Sequence, residues 1–233
     1  MAIILIVATL WTFDVIINRQ LQLVAENKMP HAVVISSFTR FLFSFTWISN
    51  LVAVIAYFIF FFKKENKTAQ KLAFVATTLI TITFLVYWAL IFPDSIKRHS
   101  NVPKLINSTL LHLVNPVIAI FLLFFNKKDI FIDKKTAWLT FLPIVAYYLF
   151  ALSMYFIGLK AMEGVEETSQ NFINYDLVIY SFLNFKHPLF YYGDKTILVI
   201  ILNLVMVLIA FLLAPGIAFL YKKLSNINFK NEK

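Results

Sequence analysis

"FSFTWISNLVAVIAYFIFFF", from Phe43 to Phe62, is the stretch whose reading decides the fold. It carries no charge, and as a helix rising about 1.5 Å per residue it covers about 30 Å, the thickness of bilayer hydrocarbon. Four polar residues, Ser44, Thr46, Ser49 and Asn50, gather near one end, while the other end is almost wholly aromatic and aliphatic. A segment built for lipid thus holds hydrogen-bonding groups at one restricted depth. This raises two questions: how many such segments does the chain have, and which of them place polar groups at the same level?

Bilayer-length runs recur from end to end. Apolar segments occupy roughly 2–23, 38–62, 72–93, 105–125, 138–159 and 196–220. Each approaches the ~20 residues that cross hydrocarbon as a helix, and each is far longer than the ~10-residue strands of a membrane barrel. The expected fold is all-α: a polytopic six-transmembrane-helix bundle forming a single membrane domain over 1–233. The opening "MAIILIVATLWTF" has neither a basic n-region nor a small-residue cleavage site, so it reads as a retained span.

Composition agrees. The 233 residues are 61% hydrophobic and only 14% charged, and the mean hydropathy is +0.79. Soluble domains carry about 25% charge. The net charge of +9 is concentrated in lysines that flank the apolar runs. Such lysines set topology and meet anionic headgroups, so no nucleic-acid partner is implied. The absence of cysteine excludes disulfides, thiolate zinc sites and a cysteine nucleophile. No ordered carboxylate ladder, phosphate-binding glycine loop or metal-binding His pair occurs, so neither metal nor cofactor is expected.

The two loops "KKENKTAQK" and "NKKDIFIDKK", with the tail from Lys222, hold twelve lysines; the opposite side holds nine Lys plus Arg over longer loops. Positive-inside bias therefore predicts a cell-membrane protein with both termini in the cytoplasm. The long extracytoplasmic loop between helices 5 and 6, about 160–195, contains Glu163, Glu166, Glu167 and Asp176. It also contains "LVIYSFLNF", too apolar for a free loop and suited to an interfacial or re-entrant segment.

Polar residues inside the spans fall on faces. In the second span Thr39, Thr46, Ser49, Asn50 and Ala53 recur at helical spacing, and in the fourth Ser108, His112, Asn115 and Ala119 do so. In the third, Thr77, Thr81, Phe84 and Trp88 form a stripe, with Thr83 and Tyr87 beside it. Counting inward from the outer side puts Thr46 and His112 at one level, roughly 10–12 Å deep. A threonine hydroxyl becomes a nucleophile when a base takes its proton, and a neutral imidazole is such a base. Ser49, Asn50 or Asn115 can orient the ring or donate to a developing oxyanion. The same residues also suit a helix-to-helix tie, because Thr commonly bonds its own i−4 carbonyl and buried His links helices. Asp14 is expected to pair with Arg19 or Arg40, the other reading being a proton or ion site with Asn18 and Arg19; Asn203 is expected to join helices, Tyr148, Ala151, Tyr155 and Gly158 to form a packing face, and Pro116 and Pro215 to kink helices.

These pieces occur in a telling order: "FSFTWISNLVAVI", "LVYWALIFP", "LLHLVNPVIAIFLLFF", then "VIYSFLNF". The order resembles the androgen-induced and androgen-dependent TFPI-regulating membrane proteins, and more closely their bacterial relatives, over roughly 38–185. Thr46, Ser49 and Asn50 match a Thr-x-x-Ser-Asn motif. Leu85, Val86 and Tyr87 match a second motif, and Leu111, His112 and Pro116 a third. Tyr180, Phe182 and Leu183 match a fourth, in which Ser181 and Asn184 stand where a proline and an acid are usual. The resemblance implies a threonine hydrolase that cleaves fatty acid esters of hydroxy fatty acids, with Thr46 as nucleophile and His112 as base. Ser49, Asn50, Tyr87, Asn115 and Tyr180 then support the oxyanion or the substrate, and the partner is a membrane lipid or fatty acyl ester. Two other readings of the same pattern are a non-enzymatic small-molecule binding or transport component and a membrane assembly subunit.

Overall fold

The computed structural model describes residues 1–25, 42–93, 102–161, 178–225 and 227–229. The described residues are 83% helical with almost no strand. Helix α1 spans Ala2–Ala25, α2 Phe45–Phe62 and α3 Lys67–Val86, the last continuing into a π-helical turn at Tyr87–Ile91. Helix α4, Val102–Thr109, runs through a second π turn at Leu110–Val114 into α5, Asn115–Phe125. A two-residue strand β1 (Phe131–Ile132), α6 (Lys134–Leu139), α7 (Phe141–Ala161), α8 (Thr196–Ser225) and β2 (Asn228–Phe229) complete the order.

Among the described residues five stretches are long and apolar enough to cross a membrane: Phe45–Phe62, Lys67–Ile91, Ile106–Phe125, Lys134–Ile157 and Thr196–Ser225. Their outward faces carry large apolar side chains in the open, among them Phe58, Phe61, Phe121, Ile197 and Leu204, as lipid contact demands. Within α1, Ala2–Thr12 is an apolar helical stretch. Thr39, Arg40, Glu163, Glu166, Glu167 and Asp176 lie outside the described residues, as does the Arg19 side chain.

The described chain divides into two compact units: Met1–Trp11, Phe45–Ile144 and Phe211–Lys233 in one, Thr12–Ser44 and Val145–Ala210 in the other. The core of the first unit is small-residue packing. Ala53, Ala56, Ala73, Ala76, Ala119, Ala214 and Ala218 are fully buried among Phe60, Phe74, Ile80 and Leu123. Small side chains let helix backbones approach closely, which is how helices associate where lipid removes the hydrophobic drive. Polar links run through this core. The Tyr57 hydroxyl lies 2.7 Å from Thr77 Oγ1 and 2.8 Å from the Ala119 carbonyl, and Thr81 Oγ1 lies 2.5 Å from the Tyr221 hydroxyl. At the lysine-rich end β1 pairs in parallel with β2, Phe131 opposite Asn228 and Ile132 opposite Phe229. There Asn66 caps α3 through the amides of Thr68 and Ala69, and Asp133 caps α6 through that of Thr136 and pairs with Lys71. The first turns of α3 and α6 thus have acceptors for their otherwise orphan N–H groups.

In the second unit Ala151, Tyr155, Val178, Leu183, Phe185 and Met206 form the core, with Tyr148 packed against it. The expected face of Tyr148, Ala151 and Tyr155 is therefore a packing face. The apolar segment 178–185 packs there through a single 3-10 turn, Ser181–Leu183. Asn184 organises the backbone after that turn. Its Oδ1 accepts from the Tyr155 hydroxyl at 3.2 Å and from the amides of Lys186 and His187 at 3.1 and 3.2 Å. Asn203 differs from expectation. Its amide donates to the Phe185 carbonyl at 3.0 Å and to Val199 one turn back at 2.9 Å, so it ties a loop to a helix and not helix to helix.

Candidate active site

Two interruptions of regular helix build the site, and both follow from local chemistry. Pro116 has no N–H, so it cannot bond the His112 carbonyl one turn back. The preceding residue bonds five residues back: the Asn115 amide donates to the Leu110 carbonyl. The carbonyls of Leu111 and His112 are thereby released from their usual α-helical donors, and side chains meet them. Asn50 Nδ2 donates to the Leu111 carbonyl at 3.3 Å, and the Trp88 indole N–H donates to the His112 carbonyl at 3.2 Å. Trp88 itself stands in the other π turn, which the Phe92 amide closes onto the Tyr87 carbonyl. Such π bulges recur at functional sites because they rotate one side chain out of the helical register. Here they bring forward His112 from one helix and Tyr87 with Trp88 from another.

The two side chains expected at equal depth are in contact: Thr46 Oγ1 lies 3.0 Å from His112 Nε2. The other ring nitrogen fixes the polarity of that bond. Nδ1 lies 2.7 Å from the Ser108 carbonyl, which can only accept, so Nδ1 carries the hydrogen. In the neutral ring Nε2 then holds the lone pair and accepts from the threonine hydroxyl. Ser108 Oγ, 3.3 Å from Nδ1, adds a second contact on that edge, and it donates to the Tyr87 hydroxyl at 2.7 Å. The Tyr87 ring lies flat on the imidazole, centroids 3.8 Å apart and planes 17° apart. The imidazole is thus held at one edge by Ser108 and on one face by Tyr87. Thr46 and Tyr87 are buried and His112 is half-buried.

Below this pair lies a saturated layer. Asn50 Nδ2 also donates to the Thr46 carbonyl at 2.8 Å, and Asn50 Oδ1 accepts from Asn115 Nδ2 at 2.7 Å. Ser49 Oγ donates to the Thr46 carbonyl at 3.1 Å and meets Thr83 Oγ1 at 2.6 Å. All three of Ser49, Asn50 and Asn115 are fully buried. Expected to serve a substrate oxygen, Ser49 and Asn50 have their hydrogens on protein acceptors and Asn115 donates to Asn50, so the three brace the backbone beneath Thr46. Among the described residues Asn115 Oδ1 has no donor. Tyr180 belongs to the second unit, where its ring stacks on Phe182 at 5.3 Å. Ser108 and Trp88 stand out in the sequence only as members of polar stripes. The signal that gives them a role is a proline four residues after a histidine, which frees that histidine's carbonyl.

The site can do one kind of chemistry on its own residues: deprotonate a hydroxyl with an imidazole whose tautomer is fixed. Among the described residues no group of three His, Cys, Asp or Glu side chains comes together to hold a metal ion. The chain matches no family model, no curated protein and no solved structure.

Proposed function

We propose that this is an integral membrane lipid-ester hydrolase in which Thr46 is the nucleophile and His112 the general base. The observation that carries the reading is the Thr46 Oγ1–His112 Nε2 contact of 3.0 Å, with Nδ1 held on the Ser108 carbonyl. In a hydrolase with a hydroxyl nucleophile the base is oriented by a third group, and here that group is a backbone carbonyl. As Thr46 Oγ1 bonds to the ester carbon, its proton passes to Nε2 and the carbonyl electron pair moves to oxygen. Collapse expels the alcohol, which takes the proton back from Nε2, and leaves an acyl ester on Thr46. Water then attacks that ester with His112 again as base, releasing the fatty acid and restoring the hydroxyl.

The site lies among helices that suit an apolar substrate, which supports a fatty acyl ester over a water-soluble one. The order of motifs shared with the androgen-induced protein family points the same way. In this reading α1 completes a six-span cell-membrane protein with both termini cytoplasmic and the 160–195 segment outside. Lysines at the ends of α2, α3, α5, α6 and α8 then meet anionic headgroups.

A fluorophosphonate probe on the full chain in detergent micelles tests the assignment. Thr46 labels in the wild type and in Thr46→Ser, and labelling is lost in Thr46→Ala. Labelling that survives Thr46→Ala rejects this nucleophile.

A further inference from the structure

The Thr46–His112 contact joins two helices, so its length depends on what holds those helices at their spacing. Part of the answer is α1, which touches both. Leu5 and Ala8 of α1 are buried in one cluster with Leu111, the residue before His112. Trp47, the residue after Thr46, packs on that cluster with Leu51 and Val54. Two successive α1 residues add a hydrogen bond to each of the two helices. The Thr9 hydroxyl accepts from the Trp47 indole N–H at 3.1 Å, and the Ala8 carbonyl accepts from Asn107 Nδ2 at 3.3 Å. Asn107 directly precedes Ser108, whose carbonyl holds the Nδ1 edge of the imidazole.

The bond to Thr9 has a fixed direction. An indole N–H can only donate, and the Thr9 hydrogen goes to the Leu5 carbonyl at 2.6 Å, which leaves a lone pair for Trp47. Ala8 is fully buried at the contact, while Ile3, Ile6 and Leu10 lie on the exposed side of the same helix. A small residue at such a position lets helices approach closely, and a larger one there displaces its neighbours. From this arrangement we infer that α1 is a clamp on the site. It holds the helix of the nucleophile and the helix of the base at the spacing where Thr46 Oγ1 meets His112 Nε2, and Thr9 is the positioning residue on the nucleophile side. The catalytic meaning of the clamp rests on the hydrolase reading. It extends the site to a helix outside the stretch that carries the family resemblance.

The test measures fluorophosphonate labelling of Thr46 in the full chain in micelles, with thermal stability beside it. Thr9→Val keeps the shape of the side chain and removes the acceptor for Trp47, whereas Thr9→Ser keeps the acceptor. Labelling slows in Thr9→Val, by up to the roughly 10²-fold that a misplacement of about 1 Å costs, and returns to the wild-type rate in Thr9→Ser. Ala8→Leu, which wedges the two helices apart, slows it at least as much. A merely structural bond lowers stability and leaves labelling unchanged, as expected for Tyr57→Phe. Wild-type labelling in both Thr9→Val and Ala8→Leu, with labelling abolished in Thr46→Ala, overturns the clamp and leaves the nucleophile standing. A second readout is independent of activity: the NMR resonance of His112 Nε2, in chain carrying isotope-labelled histidine, moves when its bond from Thr46 lengthens. If the wild type takes no fluorophosphonate, the hydrolase reading falls and this resonance decides the clamp. A displaced resonance in Thr9→Val supports it, and an unchanged one overturns it. If Thr9→Val fails to fold, Trp47→Phe removes the same bond from the other side and is read in the same way.

Discussion

The first unit contains two polar networks made of much the same residue types, and they end differently. Around Tyr57, each group meets a protein partner: the hydroxyl reaches Thr77 and the Ala119 carbonyl, Thr77 bonds the Ala73 carbonyl at 2.8 Å, and Thr81 meets Tyr221. Regular helix runs through that region. Around His112, two helices break register, two carbonyls are released and recaptured by side chains, and the Tyr87 hydroxyl accepts from Ser108 with no acceptor of its own among the described residues. The first network is closed and ties helices together. The second sets a hydroxyl against an imidazole. Hydroxyls and aromatics in a membrane helix therefore do not by themselves mark a site; unfinished hydrogen bonding beside a register shift does.

The comparison breaks most directly at the base. His112→Ala removes the acceptor for the Thr46 proton, and general-base removal is worth about 10²–10⁴-fold. Fluorophosphonate labelling of Thr46 slows by that order, while Tyr57→Phe in the other network labels at the wild-type rate. Equal effects from the two variants would merge the networks into one structural role.

A second, smaller break is at Pro116. Pro116→Ala restores an N–H one turn after His112, where it competes with Trp88 for the His112 carbonyl and favours regular α-helix over the π turn. A ring displaced by about 1 Å loses up to about 10²-fold in rate. Labelling slows while thermal stability holds or rises, since a helix-breaking residue is gone. A stabilised variant that labels normally would show that the π turn is dispensable.

How much of this was legible in the sequence depends on what kind of information each feature needs. Equal depth of Thr46 and His112 follows from counting residues along spans, because helical rise is fixed. The contact itself needs the faces to meet, which faces rich in small residues favour. The roles of Ser49 and Asn50 were not legible. Their spacing puts them on the right face, but whether a hydrogen goes to a substrate or to a carbonyl depends on which carbonyls are free. The π turns decide that. Asn203 misled for a related reason: a lone amide in a span signals a buried partner, yet not whether that partner is a helix or a loop. Likewise Asn184, where the resemblance leads one to expect an acid, has its oxygen engaged by the amides of Lys186 and His187 and by Tyr155.

The lysine-rich end offers a control outside the hydrocarbon. Burial alone raises the Asp133 carboxyl, but the hydrogen bond from Lys71 and those from Thr136 outweigh it and hold the group down at about 2. A carboxyl depressed below its usual ~3.9 adds stability that is full above that value and is lost as pH falls through the depressed one. Thermal stability in detergent therefore drops between about pH 4 and pH 2 through this group. The drop is smaller in Asp133→Asn, which keeps a capping oxygen without the titration. Asp133→Ala also loses the cap, costing about 0.5–2 kcal/mol at neutral pH. Neither variant alters labelling of Thr46, because both act at the far end of α3.

The smallest effect tests the closed network on its own terms. Tyr57→Phe deletes one hydroxyl whose partners are Thr77 Oγ1 and the Ala119 carbonyl, and Thr77 keeps its bond to Ala73. No buried donor is stranded by the change, so the loss is that of one interhelical hydrogen bond, about 0.6 kcal/mol on average and about 1.7 at most in a membrane bundle. Thr77→Val, which removes the other side of the same contact, has a similar cost. In the double variant the two losses fall short of adding, since neighbours that share a bond couple. Additive losses, or a loss well above the single-bond range, would mean that Tyr57 holds something beyond Thr77 and Ala119, and that the closed network is closed only to the eye.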